Sequence, residues 1–299
     1  MVMGQSLSKL RLNIIGCGHV GQTLTYLWAK QGSVEVAQVL NTSLASGQTA
    51  VEFIGAGQAI SSINDMQVAD IYLLACPDKA LEVCSAALAS ANLLRENDIV
   101  FHCSGAISSE ILKSLKVQGA LIASVHPVKS FADPMRAIHS FQPTYCGVEG
   151  DPVALELLKL LFEGIGGICF ALDAKQKTLY HAASVIACNY VVALQSISLR
   201  AFNEAGVGQD LALKIIQPMV QETLANLFTL GPAKALTGPI ARGDAAVVAK
   251  QLAALQAKNG VDAELYRLLG LEALSLAYQR GKTPESYLQQ VQQILADKK

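Results

Sequence analysis

The sequence predicts an α/β protein: a doubly wound parallel sheet over residues 1–172, followed by an all-α domain over residues 173–299. Three observations lead there. Short apolar runs of strand length alternate with helix-length segments through the first half, the rhythm of βαβ units. Runs such as Ile71-Tyr72-Leu73-Leu74-Ala75 are apolar on both faces, as parallel strands covered by helices on either side must be. Beyond Asp173 the β-branched runs stop, and helical segments punctuated by glycine and proline replace them.

The strand runs are Leu10–Ile15, Val34–Leu40, Asp70–Ala75, Asp98–Phe101, Ala120–Val125 and Ile168–Leu172. Asp151-Pro152 reads as an N-cap with proline at the first helical position, opening a helix that ends near Gly164, Gly166 and Gly167. Residues 174–200 form one long helix, too apolar for a solvent-facing surface and interrupted by His181, Ser184, Asn189 and Gln195; it is expected to lie between domains or subunits. Later helices stop at Gly206-Val207-Gly208, Gly231-Pro232, Gly238-Pro239, Gly260 and Gly281. Asp244, Asp262 and Thr283 stand where N-caps are needed, and Pro218 should kink or divide its helix.

Composition narrows the function. At 299 residues the chain has room for two domains, and its 16% charged residues fall short of the roughly 25% of average soluble proteins, which points to surface buried between subunits. Twenty-three basic and 24 acidic residues leave a net charge of −1, with no field to attract nucleic acid or an anionic membrane. Seven cysteines without a CxxC pair read as small core residues in a reducing cytoplasm. The N-terminal MVMGQSLSKLRL lacks the apolar stretch of a signal peptide, so a soluble cytoplasmic protein is expected. Five scattered histidines make no HExxH, and no GxSxG elbow is present, so neither metal hydrolysis nor a serine triad has support.

Gly16-Cys17-Gly18-His19-Val20-Gly21 follows a strand run and opens a helix, the context in which GxGxxG is a dinucleotide fingerprint. The first glycine permits the tight turn, the second lets backbone N–H groups approach a pyrophosphate, and the third lets helix and sheet pack closely. NAD-specific versions carry an acid at the end of the second strand to hold the ribose 2′-hydroxyl; here that place reads Asn41-Thr42-Ser43, which favours NADP over NAD, although no basic residue stands beside it.

Ligands of such sheets sit at the strand carboxyl ends. Cys76-Pro77-Asp78, His102-Cys103-Ser104-Gly105-Ala106 and His126-Pro127-Val128-Lys129-Ser130 occupy those ends. A histidine there either exchanges the proton that accompanies hydride transfer or makes an ordinary strand-end hydrogen bond. On the long helix His181, Val185 and Asn189 share a face, to meet either a substrate or a structural partner. In Thr237-Gly238-Pro239-Ile240-Ala241-Arg242-Gly243-Asp244, Asp244 reads as a cap, while Arg242 can fork onto a carboxylate.

With GCGHVG, ACPD, HCSGA, SVHPVKSF, YHAASVIACNYVVAL from Tyr180 and LTGPIARGD from Leu236, the chain resembles Rossmann-like NADP-binding proteins with a C-terminal helical domain of unknown function. These are relatives of the 6-phosphogluconate, β-hydroxyacid and pyrroline-5-carboxylate dehydrogenases and reductases. The resemblance implies an NADP site and a dimer built through the helical domains. It also marks departures: Val185 stands where β-hydroxyacid dehydrogenases carry a proton-transferring lysine, and Thr42 where many relatives have an arginine. The His-Pro pair with an earlier serine is similar to prephenate dehydrogenases, which would make His126 and Ser104 substrate contacts.

The expectation is therefore an NAD(P)-dependent oxidoreductase, NADP preferred, acting on a small carboxylate-bearing metabolite in an interdomain cleft. His126, Ser104, His181 and Asn189 would be catalytic, with Lys129 and Arg242 on the substrate. Gly16, Cys17, Gly18, His19, Val20, Gly21, Asn41, Thr42, Ser43, Cys76, Pro77, Asp78, Ser104 and Gly105 would hold the cofactor. The rival is a non-catalytic dinucleotide-binding sensor or assembly protein; an S-adenosylmethionine-dependent transferase is a third, less suited to the third glycine and the all-α half.

Overall fold

The computed structural model describes residues 9–296; the N-terminal stretch read above lies, up to Ser8, outside them. Two compact units, Met1–Ala187 and Cys188–Lys299, meet inside a long helix and not at 172/173.

The first unit contains β1 (Leu10–Ile15), β2 (Val34–Leu40), β3 (Gln58–Ile60), β4 (Ile71–Leu74), β5 (Ile99–His102), β6 (Leu121–Pro127), β7 (Thr144–Gly150) and β8 (Gly167–Ala171). Their order in space is β3-β2-β1-β4-β5-β6-β7-β8. β1 through β6 pair in parallel, and the winding reverses between β1 and β4, which opens a crevice at the strand carboxyl ends. β7 runs antiparallel to β6, and β8 follows β7 in parallel, so the sheet is mostly, not wholly, parallel. β3 and β7 are additions to the runs read from sequence. β3 is three residues long, and β7 interrupts its apolar positions with two glycines and Glu149, so neither forms an apolar run.

Helices α1 (His19–Gln31), α2 (Leu44–Ile54) and α5 (Pro152–Gly164) cover one face, where Leu24, Trp28, Ile54, Leu158 and Phe162 bury against Ile14, Phe101 and Val125. Trp28 meets Phe162 edge to face at 5.1 Å and donates Nε1–H to the Leu161 carbonyl at 2.9 Å, so both its apolar body and its polar handle are satisfied. The other face carries α3 (Leu81–Ser90) and the 3-10 segment Ser109–Gln118, whose Leu81, Leu88, Leu112 and Leu115 pack on Tyr72, Leu74, Val100 and Ile122. Each such side chain contributes about 1.5–3 kcal/mol by leaving water. The short α4 (Pro134–His139) completes the layer over α1. In β1 a register shift falls at Asn13, whose buried amide accepts from Gln38 N and donates to the Gln67 carbonyl, so its polar atoms are satisfied in the middle of the sheet.

The predicted long helix is α6 (Lys177–Glu204), which leaves the first unit and enters the second. The second unit continues with α7 (Gln209–Leu230), α8 (Pro232–Ala235), α9 (Pro239–Arg242), α10 (Ala245–Lys258), α11 (Gly260–Arg280) and α12 (Glu285–Ala296). Val248, Leu274, Ala277, Leu288, Val291 and Leu295 form its core. Several end signals act differently from the sequence reading. Asn259, not Asp262, caps α11 by accepting from Val261 N and Asp262 N; Gly260 is that helix's first residue, and Asp262 pairs with Arg200 at 2.6 Å. Asp244 and Asp151 stand at N-cap positions, but their carboxylates take Arg242 Nε and Lys116 Nζ in place of a helix N–H. Pro218 lies inside α7, which continues through it. Leu179, Ile186, Tyr190 and Val192 of α6 and Leu211, Met219 and Phe228 of α7 are exposed on the single chain. Residues 174–204 have the length and hydropathy to cross a membrane, but Lys177, buried at 1% exposure, ties their start to the sheet.

Candidate functional site

The Gly16–Gly21 turn lies where β1 meets α1, in a cleft of about 1010 Å³ at the carboxyl ends of β1, β2 and β4. Its three glycines have separable causes. Gly16 has φ +82°, and a Cβ there would strike the Cys76 backbone at 2.6 Å. Gly21 would bring a Cβ within 3.2 Å of Ala75, where helix and strand pack. Gly18 would meet nothing within 4 Å: the space above it is open to a ligand. The first turn of α1 contains no acidic residue, and its N-cap, Gly18, offers no side chain to the free N–H groups, so an anion meets only the positive end of the helix. Cys17 is buried, which pushes its thiol up to about 12 and leaves it inert.

Asn41 Oδ1 accepts from Cys17 N at 2.6 Å, and its Nδ2 donates to the Ser46 carbonyl, so this side chain braces the glycine turn. Ser43 caps α2 by accepting from Ser46 N. Thr42, Ser46, Thr49, Ser61 and Ser62 line the cleft on this side, and no charged side chain is among its lining residues. Cys76 and Pro77 form another wall together with His19 and Val20; the His19 ring meets the Phe131 carbonyl at 2.7 Å. Asp78 begins a 3-10 turn beside that wall. These residues fit a dinucleotide: a turn open at its middle glycine, an uncapped helix start and a cleft at the switch point.

Farther along the strand ends, His126 Nδ1 lies 2.9 Å from Tyr180 Oη of α6, and the His181 ring packs on His126 at 5.9 Å between centroids. Gly105, in the loop after β5, lies beneath both: a Cβ there would be 2.6 Å from His181 Nδ1 and 2.7 Å from His126 Nε2. His181 Nδ1 is buried without a hydrogen-bond partner among the described residues. Burial, helped by Lys177 and His181, pushes His126 down to about 4, and burial pushes Tyr180 up to about 12. Both are neutral at pH 7. Whichever way the proton in the His126–Tyr180 bond lies, Nε2 keeps the opposite capacity, donor or acceptor, for another group.

His102 has a structural position: Nδ1 accepts from Ser104 N, Nε2 donates to the Ser108 carbonyl, and burial pushes it down to about 4. Ser104 Oγ accepts from Ala106 N and Ile107 N and so shapes the loop that holds Gly105. Behind them lie Lys177, Glu149 and Ser124, all buried, with Lys177 Nζ 2.5 Å from Ser124 Oγ and 3.3 Å from Glu149 Oε1. Lys129 lies to the side, half-buried, and donates to the Ser140 carbonyl at 2.6 Å. Asn189 and Arg242 belong to the second unit, where Arg242 bonds Asp244 at 2.9 Å.

Sequence reasoning missed Tyr180, Lys177, Glu149 and Ser124. Tyr180 had a signal, a phenol directly before His181 on a greasy helix, and Glu149 is a lone charge in an apolar strand; for Lys177 a charge at a helix start reads as solvated.

Residues 3–127 match the Rossmann-like domain family, and residues 144–273 match DUF2520, a domain of unknown function. No curated protein matches the chain. Among solved structures, the fold is similar to protein TM1727 from Thermotoga maritima, at 25% identity and TM-score 0.73, covering 91% of this chain and 100% of that one. An imine reductase from Myxococcus stipitatus in complex with NADP+ aligns at 12% identity and TM-score 0.65, over 89% and 94% of the two chains. A pyrroline-5-carboxylate reductase from Coxiella burnetii aligns at 16% identity and TM-score 0.55, over 92% and 98%.

Proposed function

We propose that this chain, a Rossmann-like domain continued by a DUF2520 domain, is a nicotinamide-dinucleotide-dependent oxidoreductase. The observation that carries the reading is the glycine turn, closed by backbone at Gly16, open at Gly18 and set on an uncapped helix start. Solved neighbours with the same fold include an enzyme in complex with NADP+. A bound nicotinamide supplies the hydride donor or acceptor. The chain's part is to hold the pyrophosphate at the N–H groups after Gly18 and to move a proton. His126 Nε2 gives it to, or takes it from, the substrate oxygen or nitrogen, while Tyr180 holds Nδ1.

NADP is the cofactor we favour, because no carboxylate lines the cleft to repel a 2′-phosphate. A small carboxylate-bearing metabolite is the substrate class, with Lys129 a cation whose ammonium meets a neutral carbonyl and, among the described residues, no carboxylate. Seven free cysteines suit the cytoplasm. The exposed apolar side chains of α6 and α7 favour a homodimer through the helical half.

Fluorescence titration with NADPH and NADH, followed by a screen of 2-oxo acids, cyclic imines and hydroxy acids for loss of nicotinamide absorbance, tests the reading. Gly18→Asp should abolish binding of both dinucleotides, since its carboxylate fills the open space and repels the pyrophosphate. Unchanged affinity refutes the cradle. Binding without turnover across the panel favours the sensor.

A further inference from the structure

Lys177 is the first residue of α6 and only 1% exposed, which is unusual for an amine. Its ammonium meets Ser124 Oγ on β6 and Glu149 Oε1 on β7, residues that are themselves cross-strand partners. Glu149 has further ties: it accepts Ser109 N and Ser109 Oγ, at 2.8 and 2.7 Å, where the 3-10 segment begins. Ser124 Oγ in turn reaches the Ser104 carbonyl. The loop from Ser104 to Ser109, which holds Gly105 against the two imidazoles, is therefore pinned at both ends by the strands that anchor Lys177.

A buried ion pair is a poor source of stability, because apolar side chains of the same size fill such space as well or better. What a charge pair adds is direction. We infer that the Lys177–Glu149 pair positions the first turn of α6, and with it Tyr180 and His181, against His126. Lys177 and Glu149 are positioning residues: they act through Tyr180 and His181, one turn along α6, on His126, and do not touch the reacting atoms. The inference deepens the oxidoreductase reading and rests on it only for its kinetic consequences.

The titratable groups around His126 are Lys177, Tyr180 and His181 from α6, Glu149 and Cys146 from β7, His102 at the end of β5 and Cys103 just after it, with Asp78 also acting on Lys177. Burial pushes the Lys177 amine down, Glu149 opposes that shift, and the ammonium in turn pushes both His126 and His102 down.

The test is imidazole NMR titration of the full chain, which needs neither cofactor nor substrate. Lys177→Met removes a repelling cation and bares Glu149, so His126 should titrate higher by about one pH unit or more. Glu149→Gln leaves the cation uncompensated, so His126 should hold its value or titrate lower. A pair with only a packing role moves both variants the same way, or neither, and that result overturns the proposal. If Lys177→Met does not fold, Lys177→Met/Glu149→Leu, which leaves no charge alone, decides: His126 should titrate above wild type, and an unchanged value overturns the proposal. Dinucleotide affinity should stay constant in all three, since neither residue lines the cleft. Failure of the cofactor reading would therefore leave the titration result standing.

Discussion

Adding one carbon at Gly105 tests the site without touching a charge. In Gly105→Ala the new Cβ would lie 2.6 Å from His181 Nδ1 and 2.7 Å from both Cε1 and Nε2 of His126. Relaxed contacts need about 3.5 Å, so the rings and the backbone must separate by roughly 0.8 Å. His126 cannot move that far and keep its 2.9 Å bond to Tyr180, and the loop cannot retreat while Ser104 and Ser109 hold it to the strands. Overpacking of this kind costs about 1–3 kcal/mol, which is roughly 2–10 °C in Tm for a domain this size. Turnover should fall at least tenfold while dinucleotide affinity stays within about twofold, because Gly105 is not among the cleft's lining residues and the reaction needs sub-ångström placement. Thermal melts, fluorescence titration and steady-state kinetics on one preparation measure all three. An unchanged Tm would refute the close approach, and a lost Tm with unaltered kcat would refute the catalytic importance of the two rings.

Three further outcomes follow from the same geometry. His126→Asn keeps one hydrogen bond but has no basic nitrogen with which to exchange a proton, so kcat should drop by about two to four orders of magnitude with cofactor affinity unaltered; full activity would end the proton-transfer assignment. Because His102 and His126 are pushed from 6.5 to about 4 in the folded chain, the unfolded chain binds more protons between those values. Stability is then complete above pH 6.5 and falls as pH drops towards 4, by on the order of 3 kcal/mol per imidazole. Urea unfolding between pH 7.5 and 4.5 should show that slope, reduced in His126→Asn, and a flat profile would refute the burial argument. Light scattering at tens of micromolar should give twice the monomer mass; the monomer alone would sink the homodimer.

Much of this was legible in the sequence, for identifiable reasons. Strand β4 is an unbroken apolar run, β5 is one up to its last residue, β1 and β2 are each interrupted by only two polar residues, and the glycine turn combines a fixed spacing with a strand before it and a helix after it. β7 was hidden because Gly147 and Glu149 replace apolar residues. Both have tertiary causes, since Gly147 makes room for Tyr180 and Phe170, and Glu149 faces Lys177. The caps were misread for a related reason. Asp262 and Asp244 are acids near helix starts, but Arg200, distant in sequence, and Arg242, two residues away, take their carboxylates; Asn259 caps α11 in place of Asp262, and α10 begins after Asp244 without a side-chain cap. The His126–Tyr180 contact joins residues 54 positions apart, beyond the reach of any local periodicity.

The reversal of the last two strands determines where the site's second wall comes from. Had β7 and β8 run with β6, the chain would leave the sheet at the carboxyl edge, and a following helix could only carry its side chains away from the crevice. Instead the chain leaves β8 with Leu172 bonded to Val148, the partner of Val125 near the middle of β6, and α6 starts level with Ser124. From there it climbs. Four residues of helix, from Lys177 to His181, rise about 6 Å, and two residues of strand, from Ser124 to His126, advance about 6.6 Å. Helix and strand thus keep step for one turn, and an anchor at the lower level delivers a phenol and an imidazole at the upper one. An insertion or deletion of a single residue between Lys177 and Tyr180 would turn that delivery by about 100° while leaving the anchor and the sheet as they are.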